Sequence, residues 1–169
     1  MNKQWVGLYI IGFTGLLLAL STASHAQETL PRFEPWDCPV DVPSSPPIEC
    51  GYLVVAEDYD QPEGSTIRLP IAIIHSRSQN PAPDPNLFTQ GGQGYSSLSS
   101  VWWLARSEFL NKRDAVILEQ RGNLYAQPTL DCDLSVWLET DPDHTPCIDS
   151  LKEKGINLSQ YRRAAIVAD

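Results

Sequence analysis

Two apolar runs in the first half of the chain predict a β-hairpin. Gly51 to Ala56 and Thr66 to His75 are rich in β-branched and aromatic residues, which favour strands. The connector from Asp58 to Ser65 contains Gln-Pro-Glu-Gly, which is typical of a tight turn. We therefore expect the two strands to pair antiparallel. Pro70 lies inside the second run and predicts an edge position or a bulge, because proline cannot donate to a strand ladder.

A third apolar segment leads into a glycine turn and then into a helical pattern. Asn86 to Gly94 reads Asn-Leu-Phe-Thr-Gln-Gly-Gly-Gln-Gly, which predicts a short buried strand over Leu87 and Phe88 before the turn. Ser97 or Ser99 could then cap a helix. Apolar residues recur at three- and four-residue steps, as in an amphipathic helix with its tryptophans in the core: Leu98, Val101, Trp102, Ala105 and Phe109.

The remaining pattern predicts a second strand, a loop and another helix. Ala115 to Leu118 is an apolar run bounded by charge, which suits a parallel strand covered on both faces. Strand, helix and strand in this order predict a crossover connection. Leu130 to Cys147 is a polar loop, and a helical pattern begins at Ser159. The chain is therefore expected to be α/β, with an antiparallel hairpin leading into a parallel β-α-β unit.

The N-terminal segment has the pattern of a secretory signal peptide. Lys3 precedes an apolar stretch from Val6 to Leu20, and Ser24-His25-Ala26 places small residues before a cleavage site. The apolar stretch is shorter than the about 20 residues of a membrane-spanning helix, so an uncleaved anchor is the less favoured alternative. We expect cleavage after Ala26, a secreted or periplasmic protein, and no stable membrane anchor.

The mature chain is expected to form one acidic domain with an N-terminal arm. Residues 1–26 are the signal peptide, residues 27–49 are a proline-rich arm anchored by Trp36 and Cys38, and residues 50–169 are the folded domain. Removing the signal peptide takes away Lys3 and no acid, so the net charge of −9 becomes −10. Because such a chain repels phosphate backbones, nucleic acid is not expected as a partner.

The four cysteines all lie in the exported part and predict two disulfides. Three pairings are possible. We favour Cys38–Cys50 and Cys132–Cys147, because each pair brackets a proline-bearing polar loop with little apolar surface of its own. Closing each loop contributes roughly 3 kcal/mol in the chain-entropy model. Zinc is the alternative, but no Cys-x-x-Cys and no suitably spaced histidine is present, so neither a metal nor a cofactor is expected.

Four stretches share the order of motifs of one enzyme family, and together they run through nearly the whole mature chain. They are Cys50 to Tyr59, the turn Gly91 to Gly94, Arg113 to Gly122 with its Glu-Gln-Arg-Gly end, and Gln127 to Cys132. In these stretches the chain resembles the tripeptidyl and prolyl aminopeptidase-like enzymes of the α/β-hydrolase family, which are serine hydrolases. The resemblance implies that this chain is the N-terminal part of an α/β-hydrolase fold, with an incomplete sheet.

The resemblance also implies a site. In the family the glycine turn supplies part of the oxyanion hole, which here points to the backbone of Gly92, Gln93 and Gly94. The tetrad Glu119, Gln120, Arg121 and Gly122 is the motif that supports this site. The chain departs from the family pattern at Gln93, where proline is usual, and at Asn123-Leu124, where Thr-Gly or Ser-Gly usually follows the Arg-Gly pair.

The resemblance places no catalytic residue inside this chain. The family's nucleophile elbow, Gly-x-Ser-x-Gly, and the acid and histidine of its triad are expected beyond Asp169. Gly94-Tyr95-Ser96 begins like an elbow, but Leu98 stands where the second glycine belongs, so we interpret Ser96 as a helix-start residue. The leading hypothesis is a secreted serine peptidase fragment whose full-length form acts on peptides or esters. The alternative is a small disulfide-bonded secreted domain that binds or inhibits without catalysis.

We predict that the exported protein begins at Gln27, because Ser24-His25-Ala26 satisfies the small-residue rule for signal peptide cleavage. Intact-mass measurement of the exported protein should give the mass of the chain without residues 1–26. A mass that includes Met1 would contradict the assignment.

Overall fold

An open five-stranded mixed sheet forms the centre of the molecule. A computed structural model describes residues 29–91, 94–131 and 143–169. The strands are β1 (Arg32–Pro35), β2 (Ile48–Ala56), β3 (Thr66–Ile74), β4 (Asn86–Phe88) and β5 (Ala115–Leu118). They lie in the order β1-β2-β3-β5-β4, with β4 and β5 parallel and every other pair antiparallel. The mixed α/β character predicted from the sequence is confirmed.

The predicted hairpin is present, and its second strand is central rather than at an edge. β2 and β3 pair over their whole length, from Ile48 opposite Ile74 to Ala56 opposite Thr66. The connector closes with Gly64 N donating to Gln61 O at 2.9 Å. On its other side β3 pairs with β5, so the predicted edge position of Pro70 is wrong.

Pro70 is tolerated inside the sheet because β3 changes its neighbour at this point. Arg68 pairs with Gln127, whereas the residues from Ile71 onward pair with β5. Arg68 exchanges two backbone hydrogen bonds with Gln127, and two residues later the nitrogen of Pro70 faces the same side. The paired register of β5 extends only to Leu118 opposite Ile71. The missing N–H of Pro70 therefore falls in the gap between these two partners, while its carbonyl accepts from Glu119 N at 2.9 Å.

The N-terminal arm is more regular than its prolines indicate. β1 pairs antiparallel with β2, with Pro35 opposite Gly51. Trp36 stacks on Tyr52 with ring centroids 4.5 Å apart, and the predicted Cys38–Cys50 disulfide is present. Gly51 is required here, because a Cβ at this position would overlap the ring of Phe33. The two anchors predicted in the arm, Trp36 and Cys38, therefore both attach it to β2.

The predicted amphipathic helix is broken into three short pieces. A 3-10 turn at Ser97–Ser100 leads into α1 (Val101–Ala105), and a second 3-10 turn follows at Glu108–Asn111. The Ser107 side chain accepts from Phe109 N and starts that second turn, which ends the α-helical path. Trp102 is exposed, as are Trp103 and Phe109, so the predicted burial of the tryptophans is wrong.

Apolar side chains cover both faces of the sheet. Successive residues of a strand point to opposite faces. Ala72 and Ile74 of β3 therefore face α1 and its flanking turns, whereas Ile67 and Leu69 face the other side, with Val55. The main cluster joins the sheet to the helical segment through buried residues on both: Cys50, Ala72, Ile74, Leu98, Val101, Leu104, Ala105, Leu110, Ala115 and Ile117.

The C-terminal segment contains two further helices. These are α2 (Thr145–Glu153) and α3 (Arg163–Ala168), separated by Gly155 at a φ of +79° and a 3-10 turn at Leu158–Gln160. Cys147 lies on α2 and is disulfide-bonded; its predicted partner, Cys132, lies outside the described residues. The predicted signal peptide also lies outside them. No helix within the described ranges is long and apolar enough to cross a membrane.

β4 is an edge strand, and the predicted burial of Leu87 is wrong. β4 pairs with β5 on one side, with Leu87 opposite Val116, and ends the sheet on the other. The Leu87 side chain is 67% exposed. An unpaired edge with exposed apolar side chains is a template for pairing with other chains.

We predict that Leu87→Lys lowers self-association of the mature chain, because a charged side chain on an edge strand opposes edge-to-edge pairing. Val167→Lys is the matched control, since Val167 is also an exposed apolar residue but lies on α3. Light scattering and gel filtration at micromolar concentration should show less associated material for the first variant only. Equal effects from both variants would show that net charge, and not the β4 edge, controls solubility.

Candidate functional site

The end of β5 lies against the turn that follows β4. Ser96 Oγ donates to Glu119 Oε2 at 2.6 Å, and Tyr125 N donates to Glu119 Oε1 at 3.4 Å. Ser96 Oγ also accepts from Leu98 N at 3.1 Å, which confirms Ser96 as a helix-start residue. Glu119 is 0% exposed. The hydroxyl of Ser96 therefore faces a carboxylate, in contrast to the histidine that a nucleophilic serine of a triad requires.

A second contact between the same two segments comes from Asn123. Its Nδ2 donates to Tyr95 O at 3.1 Å, and Gly94 N donates to its Oδ1 at 3.5 Å. From the other side, Ser97 Oγ accepts from Gln90 N at 2.9 Å. The residues on both sides of positions 92 and 93 are thus held by side chains.

Two glycines give the backbone angles that this arrangement needs. Gly94 has a φ of +82° and Gly122 a φ of +79°, both in the left-handed region that favours glycine. A Cβ on Gly122 would also overlap the side chain of Leu130. Gly122 therefore allows the segment after β5 to turn closely against its neighbours.

One of the three predicted oxyanion-hole residues lies within the described residues. Gly92 and Gln93 are outside them. The N–H of Gly94 is directed at Asn123 Oδ1 at 3.5 Å, which is near the outer limit of a hydrogen bond and leaves the donor weakly engaged. The assignment of Gly92, Gln93 and Gly94 to an oxyanion hole remains a prediction.

The Arg121 side chain extends toward the C-terminal segment and contacts Gln160 and Asp169. Its side chain is 0% exposed and forms an ion pair with Asp169, which is 3% exposed. Arg121 Nε donates to Asp169 Oδ2 at 2.8 Å, and one terminal nitrogen donates to Glu57 O at 2.8 Å and to Gln160 O at 2.9 Å. A single guanidinium therefore joins β5, the end of β2 and the segment around α3.

Two tyrosines flank this guanidinium, with ring centroids 5.8 Å (Tyr59) and 5.9 Å (Tyr161) from its carbon. Burial and the negative charge of Asp169 raise the pKa of Tyr59 to about 12. Burial and the neighbouring Glu57 carboxylate also raise the pKa of Tyr161. Burial disfavours the charged form of Arg121, but hydrogen bonds and charge from Asp169 outweigh it, so the pKa of Arg121 is raised. The cluster thus keeps a protonated guanidinium between two neutral phenols.

Residues of the Glu119–Gly122 motif therefore contact two different parts of the molecule. Glu119 contacts the turn, Arg121 contacts the C-terminal segment, and Gln120 O accepts from Asn123 N at 3.3 Å. These four residues were predicted from the resemblance, whereas their partners Asn123, Tyr161 and Asp169 were not. Only Asn123 had given a signal, as a departure from the family pattern.

Within the described ranges, no cluster of metal-ligating side chains adjoins the turn. No group of three or more histidine, cysteine, aspartate or glutamate residues there could hold a metal ion. A cavity of about 220 Å³ opens beside Tyr59 and Asp169, with mostly apolar walls that include Val55 and Pro62. It contains none of the turn residues.

Comparison with known proteins leaves the assignment to physical argument. No protein-family model matches the chain, and no curated protein sequence matches it significantly.

We predict that Arg121→Met destabilises the chain by about 3–5 kcal/mol, because it leaves the Asp169 carboxylate buried without its partner. Arg68→Met is the matched control. Arg68 pairs with Glu34 at 2.8 Å but its side chain is 45% exposed, so its loss should cost less than about 1 kcal/mol. Urea unfolding followed by circular dichroism measures both changes. Similar losses for the two variants would mean that the buried pair contributes no more than a surface one.

Proposed function

We propose that this chain is the N-terminal portion of a secreted serine hydrolase of the aminopeptidase-like α/β-hydrolase type. In this proposal the described residues supply the frame of an oxyanion hole and the motif that supports it. The full-length enzyme hydrolyses peptide or ester substrates outside the cytoplasm. Its nucleophile, acid and histidine belong to a segment that follows Asp169.

One observation carries the proposal. The turn after β4 and the tetrad after β5 are two of the stretches on which the resemblance rests. Ser96, two residues after the turn, donates to Glu119 of the tetrad at 2.6 Å and holds the two segments side by side. β4 and β5 are parallel neighbours, so the chain leaves both strands at the same edge of the sheet. In open α/β sheets, ligands bind at the carboxyl ends of the parallel strands, where such loops meet.

The chemistry assigned to the chain is electrostatic. When a nucleophile attacks a carbonyl carbon, the carbonyl oxygen acquires negative charge, and backbone N–H groups already directed at it stabilise that charge. Each such donor contributes roughly 3 kcal/mol in enzymes from which one has been removed. The proposed donors are the backbone N–H groups of Gly92, Gln93 and Gly94.

Ser96 is excluded from the nucleophile's role by its surroundings. Its side chain is buried, and its hydroxyl donates to Glu119 at 2.6 Å while accepting from Leu98 N at 3.1 Å. A substrate carbonyl cannot approach Oγ without displacing these contacts. The proposal therefore assigns to this chain binding and stabilisation, without a covalent step of its own.

We predict that the chain ending at Asp169 does not react with a fluorophosphonate probe, whereas the product of the complete gene does. The probe labels serines activated by a neighbouring base. The chain ending at Asp169 should give no adduct and no hydrolysis of aminoacyl or ester chromogenic substrates. In the complete product, peptide mapping should find the probe on the serine of a Gly-x-Ser-x-Gly sequence.

The control is Ser96→Ala in the complete product, which should keep its labelling. An adduct on Ser96, or labelling that disappears in Ser96→Ala, would place the nucleophile inside this chain. A gene that stops after Asp169 would overturn the proposal.

A second candidate, a disulfide-bonded binding domain, is favoured by the exposed aromatic side chains. Trp102, Trp103 and Phe109 lie on the outer side of the helical segment, and Arg106 lies 5.1 Å from the Trp102 ring. Aromatic residues and arginine are enriched at protein interfaces. A stop codon after Asp169 together with a sharp, cooperative unfolding transition of the monomer would favour this candidate.

A further inference from the structure

Asn123 holds two consecutive residues of the turn with one side chain. Its amide nitrogen donates to Tyr95 O at 3.1 Å, and its amide oxygen accepts from Gly94 N at 3.5 Å. The side chain is buried although it belongs to a loop. A planar amide presents a donor and an acceptor on separate atoms, which allows this double contact.

Among the described residues, packing does not fix the turn at this point. Gly94 has a φ of +82°, and apart from its neighbours in the chain no described residue has an atom within 4 Å of a Cβ built on it. The side chain of Tyr95 is exposed. A backbone in the left-handed region with open space around it is restrained by its hydrogen bonds, and at Gly94 and Tyr95 these bonds come from Asn123.

The two bonds of Asn123 differ in strength. The bond to Tyr95 O has ordinary length, whereas the 3.5 Å bond from Gly94 N is near the outer limit. An acceptor with a full negative charge forms shorter and stronger hydrogen bonds than a neutral amide oxygen. The N–H of Gly94 can therefore exchange Asn123 Oδ1 for a charged oxygen while the bond to Tyr95 keeps the turn in place.

We propose that Asn123 is a positioning residue, which orients the turn through Tyr95 O and holds the Gly94 N–H until a ligand oxygen takes it. The catalytic meaning of this role rests on the proposed function. The positional role can be measured without catalysis.

Two substitutions of similar size separate the hydrogen bonds from the packing. Asn123→Leu removes donor and acceptor. Asn123→Asp retains an acceptor, but its ionised form cannot donate to Tyr95 O; its protonated form can. A buried carboxyl group beside a carbonyl oxygen has a raised pKa. The protonated form is therefore present at low pH, and the donor is lost as the pH rises through that raised value.

Hydrogen–deuterium exchange of the mature chain, followed by mass spectrometry of peptides that contain Gly94 and Tyr95, is the test. In Asn123→Leu the protection of these peptides should fall about tenfold, the equivalent of one hydrogen bond of typical strength. In Asn123→Asp the loss at neutral pH should be smaller, because the ionised side chain still accepts from Gly94 N but cannot donate to Tyr95 O, and it should reverse on acidification. The control is Asn80→Asp, the same substitution at an exposed loop position. It should show neither change in protection.

Unchanged protection at Gly94 and Tyr95 in both variants overturns the proposal. A loss that is equal in peptides of β2 and β3 and does not reverse with pH also overturns it, because Asn123 would then only support the fold. In the complete gene product, Asn123→Asp should slow fluorophosphonate labelling at neutral pH more than at acidic pH. If exchange behaves as expected but the complete product is never labelled, the proposed function fails and the positional role of Asn123 stands.

Discussion

Arg121 carries a positive charge into a region that water does not reach, and its hydrogen bonds go to three different segments. Asp169 neutralises the charge, and the carbonyls of Glu57 and Gln160 each accept a hydrogen bond from one terminal nitrogen. Removing a charge from water costs several kcal/mol unless its partners have good geometry. The end of β2, the turn before α3 and α3 itself must therefore be in place together. This makes the C-terminal helix part of the same cooperative unit as the sheet.

Glu119 and Arg121 connect the short segment after β5 to two distant parts of the chain. Glu119 is tied to the start of the first 3-10 turn, and Arg121 to residues 48 positions further along the chain. A shift at either end would be transmitted through the residues between them, because both side chains are buried and hydrogen-bonded. The turn after β4 and the C-terminal segment do not need to touch in order to depend on each other.

Local patterns in the sequence predicted four of the five strands and two of their pairings, but not which element covers the helical segment. Alternation and turn chemistry were sufficient for the hairpin of β2 and β3, and the order of segments for the parallel pair of β4 and β5. Apolar periodicity failed for Trp102, because it identifies a helix face but not whether another element covers it. The single α-helix failed because Ser107 starts a new turn with its own side chain.

The site residues that the sequence analysis missed are those whose partners are distant along the chain. Asn123 and Tyr95 are 28 residues apart, and Arg121 and Asp169 are 48 apart. No local propensity encodes such pairs. Pro70 illustrates the same limit, since its place in a central strand depends on Gln127, which supplies the neighbouring bridge. The motif tetrad could be found in advance only through the resemblance.

The glycine beneath Phe33 has a consequence for how the N-terminal arm pairs with the sheet. The Phe33 ring occupies the space over Gly51 that any other residue would fill with a Cβ. A slip of β1 by two residues would set the ring against Leu53 or Glu49 instead, and a slip by one would reverse the faces of every side chain. The space over Gly51 therefore accommodates the Phe33 ring in one register of β1 against β2. The folding chain can reach this alignment by shape before Cys38 and Cys50 are oxidised, so that the disulfide secures a register that is already formed.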